Sequence, residues 1–179
     1  MRNLKTRRRG RRRRGAFTLV ELLAVISIIG ILVAIVIGVS GSVMQTKARE
    51  RTQMWMKIII GACDTYFDVT RKYPTLFPEN TAADYQANNN ELYKLLAGAD
   101  PWGPDDVGER SKAKARKELG ALPPEAIREI GGKRYFMDGF GNRLWYRSSG
   151  GLGGGPYLES AGPDNNFENP EDNIRSDKL

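Results

Sequence analysis

An uncharged run of 18 residues near the amino terminus, from Leu22 to Val39, constrains the fold more than any other feature. Its apolar character is interrupted only by Ser27 and by two glycines, Gly30 and Gly38. At about 1.5 Å per residue, this run forms a helix roughly 27 Å long, which is enough to cross the hydrocarbon core of a bilayer. The sequence therefore predicts one membrane-spanning helix followed by a separate domain.

The charge distribution predicts the orientation of this helix. Nine basic residues precede it, and removing their charges from the formal +7 leaves −2 for the rest of the chain. The positive-inside rule then keeps residues 1–15 in the cytoplasm and places everything after about residue 40 outside it. Because the remaining chain is weakly acidic, we expect no nucleic-acid partner.

Three ordinary explanations of the apolar run compete. A secretory signal peptide would have a small-residue cleavage site after Val39, and none stands out there. A twin-arginine signal is suggested by Arg13 and Arg14, but the run is more hydrophobic than such signals favour. A plain signal anchor leaves Glu21 unexplained, since a carboxylate deep in a bilayer costs about 2.5–3.5 kcal/mol.

The residue inventory argues against catalysis. Cys63 is the only cysteine and histidine is absent, so an intrachain disulfide, a cysteine-based zinc site and a histidine general base are all excluded. The glycine run from Gly150 to Gly155 lacks the lysine and hydroxyl residue of a phosphate-binding loop, and is interpreted as a hairpin connection. We expect no enzymatic activity.

Beyond the membrane run, apolar residues recur at spacings of three and four from Met44 to Tyr66, which indicates an amphipathic helix. Pro74 disfavours helical geometry in the residue before it, so the helix is expected to end near Thr70 to Tyr73. A helix of about 55 residues is explained if its first half spans the membrane and its second half packs on a sheet.

The rest of the chain suggests short elements. Residues 75–90 are interpreted as a polar loop, followed by helices at residues 91–97 and 111–119, the second of them solvated. Pro123 and Pro124 predict a further short helix ending at Gly131 and Gly132. Residues 143–147 and 156–159 are predicted strands.

The nine residues from Gly15 to Leu23, GAFTLVELL, resemble the processing motif of type IV prepilins and type II secretion pseudopilins. The resemblance implies that a prepilin peptidase cuts before the apolar helix and methylates the new amino terminus. It also implies that Glu21 meets the terminal amine of a neighbouring subunit. The usual motif has Phe directly after the cleaved Gly, whereas Ala16 intervenes before Phe17 here. Cleavage after Gly15 and cleavage after Ala16 therefore both remain open.

A second resemblance covers the carboxyl-terminal part of the chain. The segments RKYPT from Arg71, DGFGNRLWY from Asp138 and the tail from Ser160 to Ile174 resemble the major, G-type pseudopilin of type II secretion. This implies an α+β, pilin-like fold with a long amino-terminal helix packed on a small carboxyl-terminal antiparallel sheet. The expected organisation is a cleaved leader at 1–15, a transmembrane and assembly helix at 16–40, and an extracytoplasmic domain at 41–179. Residues 76–137 match poorly and suggest an insertion.

The same resemblance implies a calcium site in the tail, where oxygen donors crowd together. Its ligands would be the carboxylates, amide and backbone carbonyls of Ala161, Asp164, Asn166, Asn169 and Asp172. One extra residue follows Asn166, which makes Glu171 an alternative to Asp172. Such oxygen-rich loops suit hard cations, but by composition alone an acidic, solvated turn is the commoner explanation.

We therefore expect a structural subunit of a type II secretion pseudopilus, anchored once in the inner membrane with its domain in the periplasm. The implied partners are copies of the chain in a filament, other pseudopilins, the inner-membrane assembly platform and prepilin peptidase. The alternatives are a type IV pilin or competence pseudopilin for adhesion or DNA uptake, and a membrane-tethered enzyme that uses the motif as an anchor.

Overall fold

A computed structural model describes residues 18–75, 82–98 and 106–179 of the chain. The chain divides into two compact units, Met1–Gly41 and Ser42–Leu179. Apart from Thr18, what is described of the first unit is helical and belongs to the first part of α1 (Leu19–Thr70). This 52-residue helix also supplies the first element of the second unit.

The second unit continues with two helices, α2 (Ala82–Leu96) and α3 (Asp106–Leu119), and then with five short strands. The strands form two antiparallel sheets rather than one. The first pairs β1 (Ile127–Ile130) with β2 (Lys133–Phe136). The second has the order β3-β4-β5, from β3 (Trp145–Arg147), β4 (Tyr157–Ser160) and β5 (Ile174–Arg175). The strands predicted at 143–147 and 156–159 are thus present with slightly shifted bounds.

One face of α1 supplies the centre of the core of the second unit. Trp55, Met56 and Ile59 are almost fully buried there, with spacings that keep them on one side of the helix. The other elements complete the core with Leu92, Leu96, Phe136, Leu144, Tyr146 and Leu158. The predicted amphipathic helix is confirmed, and it ends at Thr70 as expected. Arg71 follows in the left-handed conformation (φ 57°), and the Pro74 carbonyl accepts a hydrogen bond from the Tyr146 hydroxyl at 2.9 Å.

The prediction of a loop over residues 75–90 is wrong from Ala82 onward, because α2 begins there. Its three consecutive asparagines are buried. The Asn89 amide nitrogen donates to the carbonyls of Phe136 (2.9 Å) and Leu144 (2.5 Å), and its Oδ1 accepts the Phe136 N–H at 2.7 Å. Asn89 thus satisfies backbone groups at the ends of both sheets, a tertiary role that outweighs the low helix propensity of asparagine.

The predicted helix from Pro123 to Gly132 is also wrong. Only Pro124–Ala126 is helical, as a single 3₁₀ turn, and β1 follows at once. Gly131 (φ 60°) and Gly132 (φ 73°) connect β1 to β2, since a two-residue hairpin turn of this hand requires positive φ at both central positions. The Gly-Gly pair is therefore a hairpin signal rather than a helix end.

The charged helix predicted at 111–119 exists and starts earlier, at Asp106. It is less solvated than expected, because Ala115 and Leu119 are buried in the core and even Lys112 is only 8% exposed. Taken together, the apolar amino-terminal helix followed by helices and small antiparallel sheets confirms the α+β, pilin-like fold. The domain boundaries and the insertion at 76–137 remain predictions, and residues 82–98 and 106–137 contribute α2, α3, β1 and β2.

Replacing Asn89 by alanine should lower the free energy of unfolding by about 2–4 kcal/mol, because the Phe136 N–H and the Leu144 carbonyl lose the hydrogen bonds that Asn89 supplies. The matched control on the same helix is Lys94→Ala, which removes only an exposed ion pair with Glu91 and should cost about 0.5 kcal/mol. Urea denaturation of the full chain in detergent, followed by tryptophan fluorescence, measures both. Equal losses for the two variants would contradict the bridging role of Asn89.

Candidate processing and assembly site

The first turn of α1 is closed by a reciprocal pair of side chains, Thr18 and Glu21. Glu21 Oε2 accepts hydrogen bonds from the Thr18 backbone N–H and hydroxyl, both at 2.9 Å, and the Glu21 N–H donates to Thr18 Oγ1 at 3.2 Å. Since α1 begins at Leu19, Thr18 occupies the N-cap and Glu21 the third helical position, which is the geometry of a capping box. The helix start is therefore encoded locally by Thr-x-x-Glu.

Glu21 is thereby oriented but not neutralised. Within the part of the chain that the structure describes, it is exposed and forms no ion pair. The carboxylate also lies at the positive end of the helix dipole, which favours a negative charge without supplying a full counter-charge. The three other predicted processing residues, Gly15, Ala16 and Phe17, lie outside the described residues.

The helix that follows Glu21 presents apolar side chains on all sides. Its 18-residue window Leu19–Val36 has a mean hydropathy of 3.0, and none of it is buried. Side chains from every part of the circumference are open, from Val25 at 46% exposure to Leu19 at 79%. It is the one helix in the described part of the chain that is long and apolar enough to cross a membrane, and it is consistent with a membrane-anchored protein.

At the other end of the chain, three of the five predicted calcium ligands lie together. Asp164 accepts hydrogen bonds from the Asn166 backbone N–H at 2.8 Å and from the Asn169 amide at 2.9 Å. The Asn169 amide, then the Asn166 N–H, hold the pKa of Asp164 below its usual value. Phe167, within this loop, packs the loop against β3, because its ring stacks on that of Trp145 with centroids 3.4 Å apart.

The other two predicted ligands, Ala161 and Asp172, lie where the backbone at Gly162 comes close to Asp172. Ala161 is fully buried, and a Cβ on Gly162 (φ 69°) would come within 2.7 Å of both the backbone carbonyl and Oδ2 of Asp172. Asp172 Oδ1 is buried and accepts no hydrogen bond from another described residue. Glu171, the alternative ligand, is exposed. No group of three or more His, Cys, Asp or Glu side chains arranged to hold a metal occurs among the described residues, so calcium binding would depend on amide and backbone oxygens.

Asp138, which the sequence interpretation treated only as part of a turn signature, links this loop to the rest of the domain. It is 2% exposed, its Oδ1 accepts the N–H groups of Phe140 (2.9 Å) and Asn142 (2.8 Å), and its Oδ2 accepts the Ser160 hydroxyl at 2.6 Å. Burial raises the pKa of Asp138, and these hydrogen bonds partly oppose the rise. Ser160 in turn accepts the Gly162 N–H at 3.1 Å.

The Asp138 turn also contacts α1 within the second unit. The Gly139 N–H donates to Thr52 Oγ1 at 2.8 Å, and a Cβ on Gly139 would overlap the carbonyl of Ala48. Only glycine permits that approach. The side chain of Asn142 completes the connection by donating to the Gly162 carbonyl at 3.0 Å. The buried carboxylate of Asp138 therefore holds the turn to Ser160, and the neighbouring Gly139 connects the same turn to α1.

A family model described as the prokaryotic N-terminal methylation motif matches residues 11–37. The match contains all four predicted processing residues and the first part of α1, and it supports a type IV pilin-like or pseudopilin protein that prepilin peptidase processes. It indicates a structural subunit rather than an enzyme. The comparisons with curated proteins and with solved structures find no match.

The buried Asp138 predicts a specific pH dependence of stability. Because the pKa of Asp138 is higher in the folded than in the unfolded chain, Asp138 ionises first in the unfolded chain as the pH rises. Its contribution to the free energy of unfolding is therefore fully present below the ordinary aspartate pKa and is lost as the pH rises through the raised pKa. Asp138→Asn cannot ionise. The free energy of unfolding of the wild type, relative to Asp138→Asn, should therefore fall across this window and then level off. Urea denaturation at a series of pH values measures the difference, and two parallel curves would contradict the assignment.

Proposed function

We propose that the chain is a structural subunit of a type II secretion pseudopilus, whose assembly through the apolar helix drives protein export. The observation that carries this proposal is Glu21, a carboxylate that Thr18 holds in place at the start of an apolar helix and that has no counter-charge among the described residues. Removal of the leader would create a terminal amine four or five residues before it. An ion pair between this amine on one subunit and Glu21 on its neighbour would offset the cost of placing a carboxylate in an apolar bundle.

The mechanism is mechanical rather than chemical. Prepilin peptidase removes the leader on the cytoplasmic side, and the processed helix remains in the inner membrane until the assembly platform extracts it. In the filament, neighbouring helices then replace lipid around the apolar surface from Leu19 to Val36, which explains why that surface has no polar face. Growth of the filament would push exported proteins outward through the periplasm.

The choice of type II secretion over a pilin for adhesion or DNA uptake is supported by the carboxyl-terminal resemblance. The Asp138 turn, Gly139, Asn142 and the tail loop form one hydrogen-bonded assembly around the residues that carry that resemblance. Deleting the gene should therefore abolish export of enzymes to the medium while leaving DNA uptake intact. The opposite result would favour the competence or adhesion alternative.

We also propose that calcium binds the carboxyl-terminal loop. The buried Oδ1 of Asp172, which accepts no hydrogen bond from another described residue, and the oriented carboxylate of Asp164 fit a hard cation, with amide oxygen from Asn169 and backbone carbonyls of Ala161 and Asn166 as further ligands. A bound cation would stabilise the loop against the Asp138 turn and so contribute to subunit stability. It has no role in chemistry.

The processing prediction is tested by intact mass and amino-terminal sequencing of protein purified from native membranes. We expect a chain that begins at Ala16 or Phe17 and is heavier by one methyl group. The starting residue also determines whether Glu21 is the sixth or the fifth residue of the mature chain. A chain that retains Met1 would contradict the proposal, because no terminal amine would then be available for Glu21.

Replacing Glu21 by glutamine should preserve cleavage but reduce filament assembly at least about tenfold, because the amide retains a cap acceptor but carries no charge for the neighbouring amine. The matched control is Glu129→Gln on the exposed hairpin of the second unit, which should assemble normally. Both are measured by the yield of sheared filaments relative to the membrane pool of cleaved subunit. Normal assembly of Glu21→Gln would exclude the ion pair as the assembly contact.

The calcium proposal predicts a higher melting temperature. At about 100 times the dissociation constant, binding stabilises by about 2.7 kcal/mol, which corresponds to roughly 5–10 °C for a domain of this size. Scanning calorimetry with calcium, with magnesium and with a chelator measures the shift. Asp164→Asn should abolish it and Glu168→Gln, in the same loop, should keep it. An equal response to magnesium, or no shift at all, would contradict a calcium site.

A further inference from the structure

The hairpin of β1 and β2 has an open edge. Among the described elements β1 pairs only with β2, so its other edge meets no strand. Arg128, Glu129 and Ile130 are all exposed along β1. An unpaired strand edge presents a row of backbone donors and acceptors, and it is therefore a template for a strand from another chain.

The register of the hairpin identifies which backbone groups of β1 are used by β2. The Met137 N–H donates to the Ala126 carbonyl at 2.8 Å, immediately before β1 begins. In an antiparallel pair, residues that exchange ladder hydrogen bonds alternate with residues that do not. Counting in twos from Ala126, the backbone groups of Arg128 and Ile130 point toward β2.

The backbone groups of the two other β1 residues, Ile127 and Glu129, therefore point away from β2. The Ile127 N–H donates to the Pro124 carbonyl, which agrees with this alternation. The Ile127 carbonyl and both backbone groups of Glu129 form no hydrogen bond with another described residue. The edge thus offers one donor and two acceptors to an incoming strand.

One face of the same hairpin is basic. Arg128 lies directly opposite Tyr135 in the register, and Lys133 lies opposite Ile130. Alternate residues of a strand share a face, so these four side chains lie on the same side of the hairpin. The guanidinium carbon of Arg143 lies over the Tyr135 ring, 4.4 Å from its centroid, and so adds a third positive charge to this face.

A cavity of about 280 Å³ opens beside this basic face. Arg128 and Arg143 both line it, together with the amides of Asn142 and Asn165, and none of the described residues that line it is acidic. Arg128 forms no ion pair or hydrogen bond within the described part of the chain. Two guanidinium groups in one cavity without a carboxylate favour the entry of a carboxylate, which guanidinium groups bind through paired hydrogen bonds.

Charged residues on an edge strand commonly protect it from pairing, and Arg128 and Glu129 have an ordinary explanation of this kind. Two observations distinguish this edge from a protected one. Ile130 leaves 37% of its surface exposed at the same edge, although an exposed apolar residue promotes association. The positive charges also line a cavity instead of being spread over a flat surface. The edge therefore selects its partner by charge.

We propose that β1 accepts an extended, acidic peptide segment of a partner protein as an additional strand. The outward backbone groups of Ile127 and Glu129 supply the main-chain hydrogen bonds. Residues directly opposite each other on neighbouring strands share a face, so the partner residue opposite Arg128 directs its side chain toward the cavity. A carboxylate there meets Arg128 and Arg143, and an apolar side chain two residues away covers Ile130. This inference concerns the hairpin and does not depend on the proposed function.

The charge preference is tested by fluorescence polarisation with the full chain in neutral detergent. The probe is a labelled synthetic peptide of about six residues, in which aspartate and valine are separated by threonine. The control peptide has lysine in place of aspartate. The acidic peptide should bind at least about tenfold more tightly, and added salt should weaken its binding. Equal binding of the two peptides, or no binding of the acidic one, would refute the proposal.

Replacing Glu129 by proline tests the main-chain contact. Proline removes the outward N–H and leaves the ladder bonds to β2, and proline is tolerated in an edge strand at such a position. Glu129→Pro should abolish binding of the acidic peptide. The matched control Glu129→Ala keeps the N–H and loses only the ion pair with Arg134, so its binding should equal that of the unsubstituted chain. Unchanged binding by Glu129→Pro would exclude strand addition.

A charge reversal tests the cavity. Arg128→Glu should weaken binding of the acidic peptide at least about tenfold, because the incoming carboxylate then meets a like charge. Lys57→Glu makes the same change of charge at an exposed position of α1 and should leave binding unchanged. The same affinity in both variants would rule out recognition of the carboxylate by Arg128.

Hydrogen exchange of the unsubstituted chain gives a readout that does not depend on how any variant folds. The Glu129 amide should exchange rapidly in the free chain and at least about tenfold more slowly when the acidic peptide is bound, because the peptide supplies its acceptor. An exchange rate that the peptide does not change would refute strand addition. Protection that increases with the concentration of the chain alone would identify a second copy as the occupant, which would also overturn the proposal.

Discussion

The apolar surface of α1 that the chain does not itself cover is the constraint on which the rest depends. Residues Leu19 to Val36 expose apolar side chains on every side. At their start, Glu21 accepts hydrogen bonds from Thr18 but has no counter-charge among the described residues. A helix of this kind is stable only in lipid or among similar helices. The surface from Leu19 to Val36 therefore needs a covering that the described part of the chain does not supply.

The second unit compensates for short strands with buried polar contacts. Its sheets have two and three strands, none longer than four residues, so ladder hydrogen bonds alone join few parts of the chain. Asn89 connects the ends of the two sheets. Asp138 accepts the Ser160 hydroxyl and so joins the carboxyl-terminal loop to the turn whose Gly139 contacts α1. Both side chains are buried with several partners each, which gives a unique arrangement where apolar packing alone would be permissive.

Sequence reasoning succeeded where local patterns determine structure. The hydropathy of the first helix, the core stripe through Trp55 and Ile59, and the stop before Pro74 depend on neighbours within a few residues. The sequence prediction failed at Asn89, because a run of asparagines ordinarily favours a loop. In this chain the Asn89 amide instead bonds to backbone carbonyls 47 and 55 positions away, which no local pattern reveals. The prediction also failed at Gly131 and Gly132 by treating two glycines as a helix end when both were needed for a hairpin. For the candidate site, the capping box was not predicted, although Thr18 and Glu21 form a local Thr-x-x-Glu pattern that signals one. The role of Asp138 depends on Ser160, 22 positions away, and no local pattern signals it.

The Gly139 contact with α1 also determines how the domain would bear load. The Gly139 N–H points across the helix to Thr52 Oγ1, and Thr52 Oγ1 in turn donates to the Ala48 carbonyl at 2.8 Å. A pull on α1 would therefore reach the rest of the second unit through this pair of hydrogen bonds as well as through the packing of Trp55 and Met56. Tension on the helix would thus be carried by its contacts with the core and not only by the short strands of the two sheets.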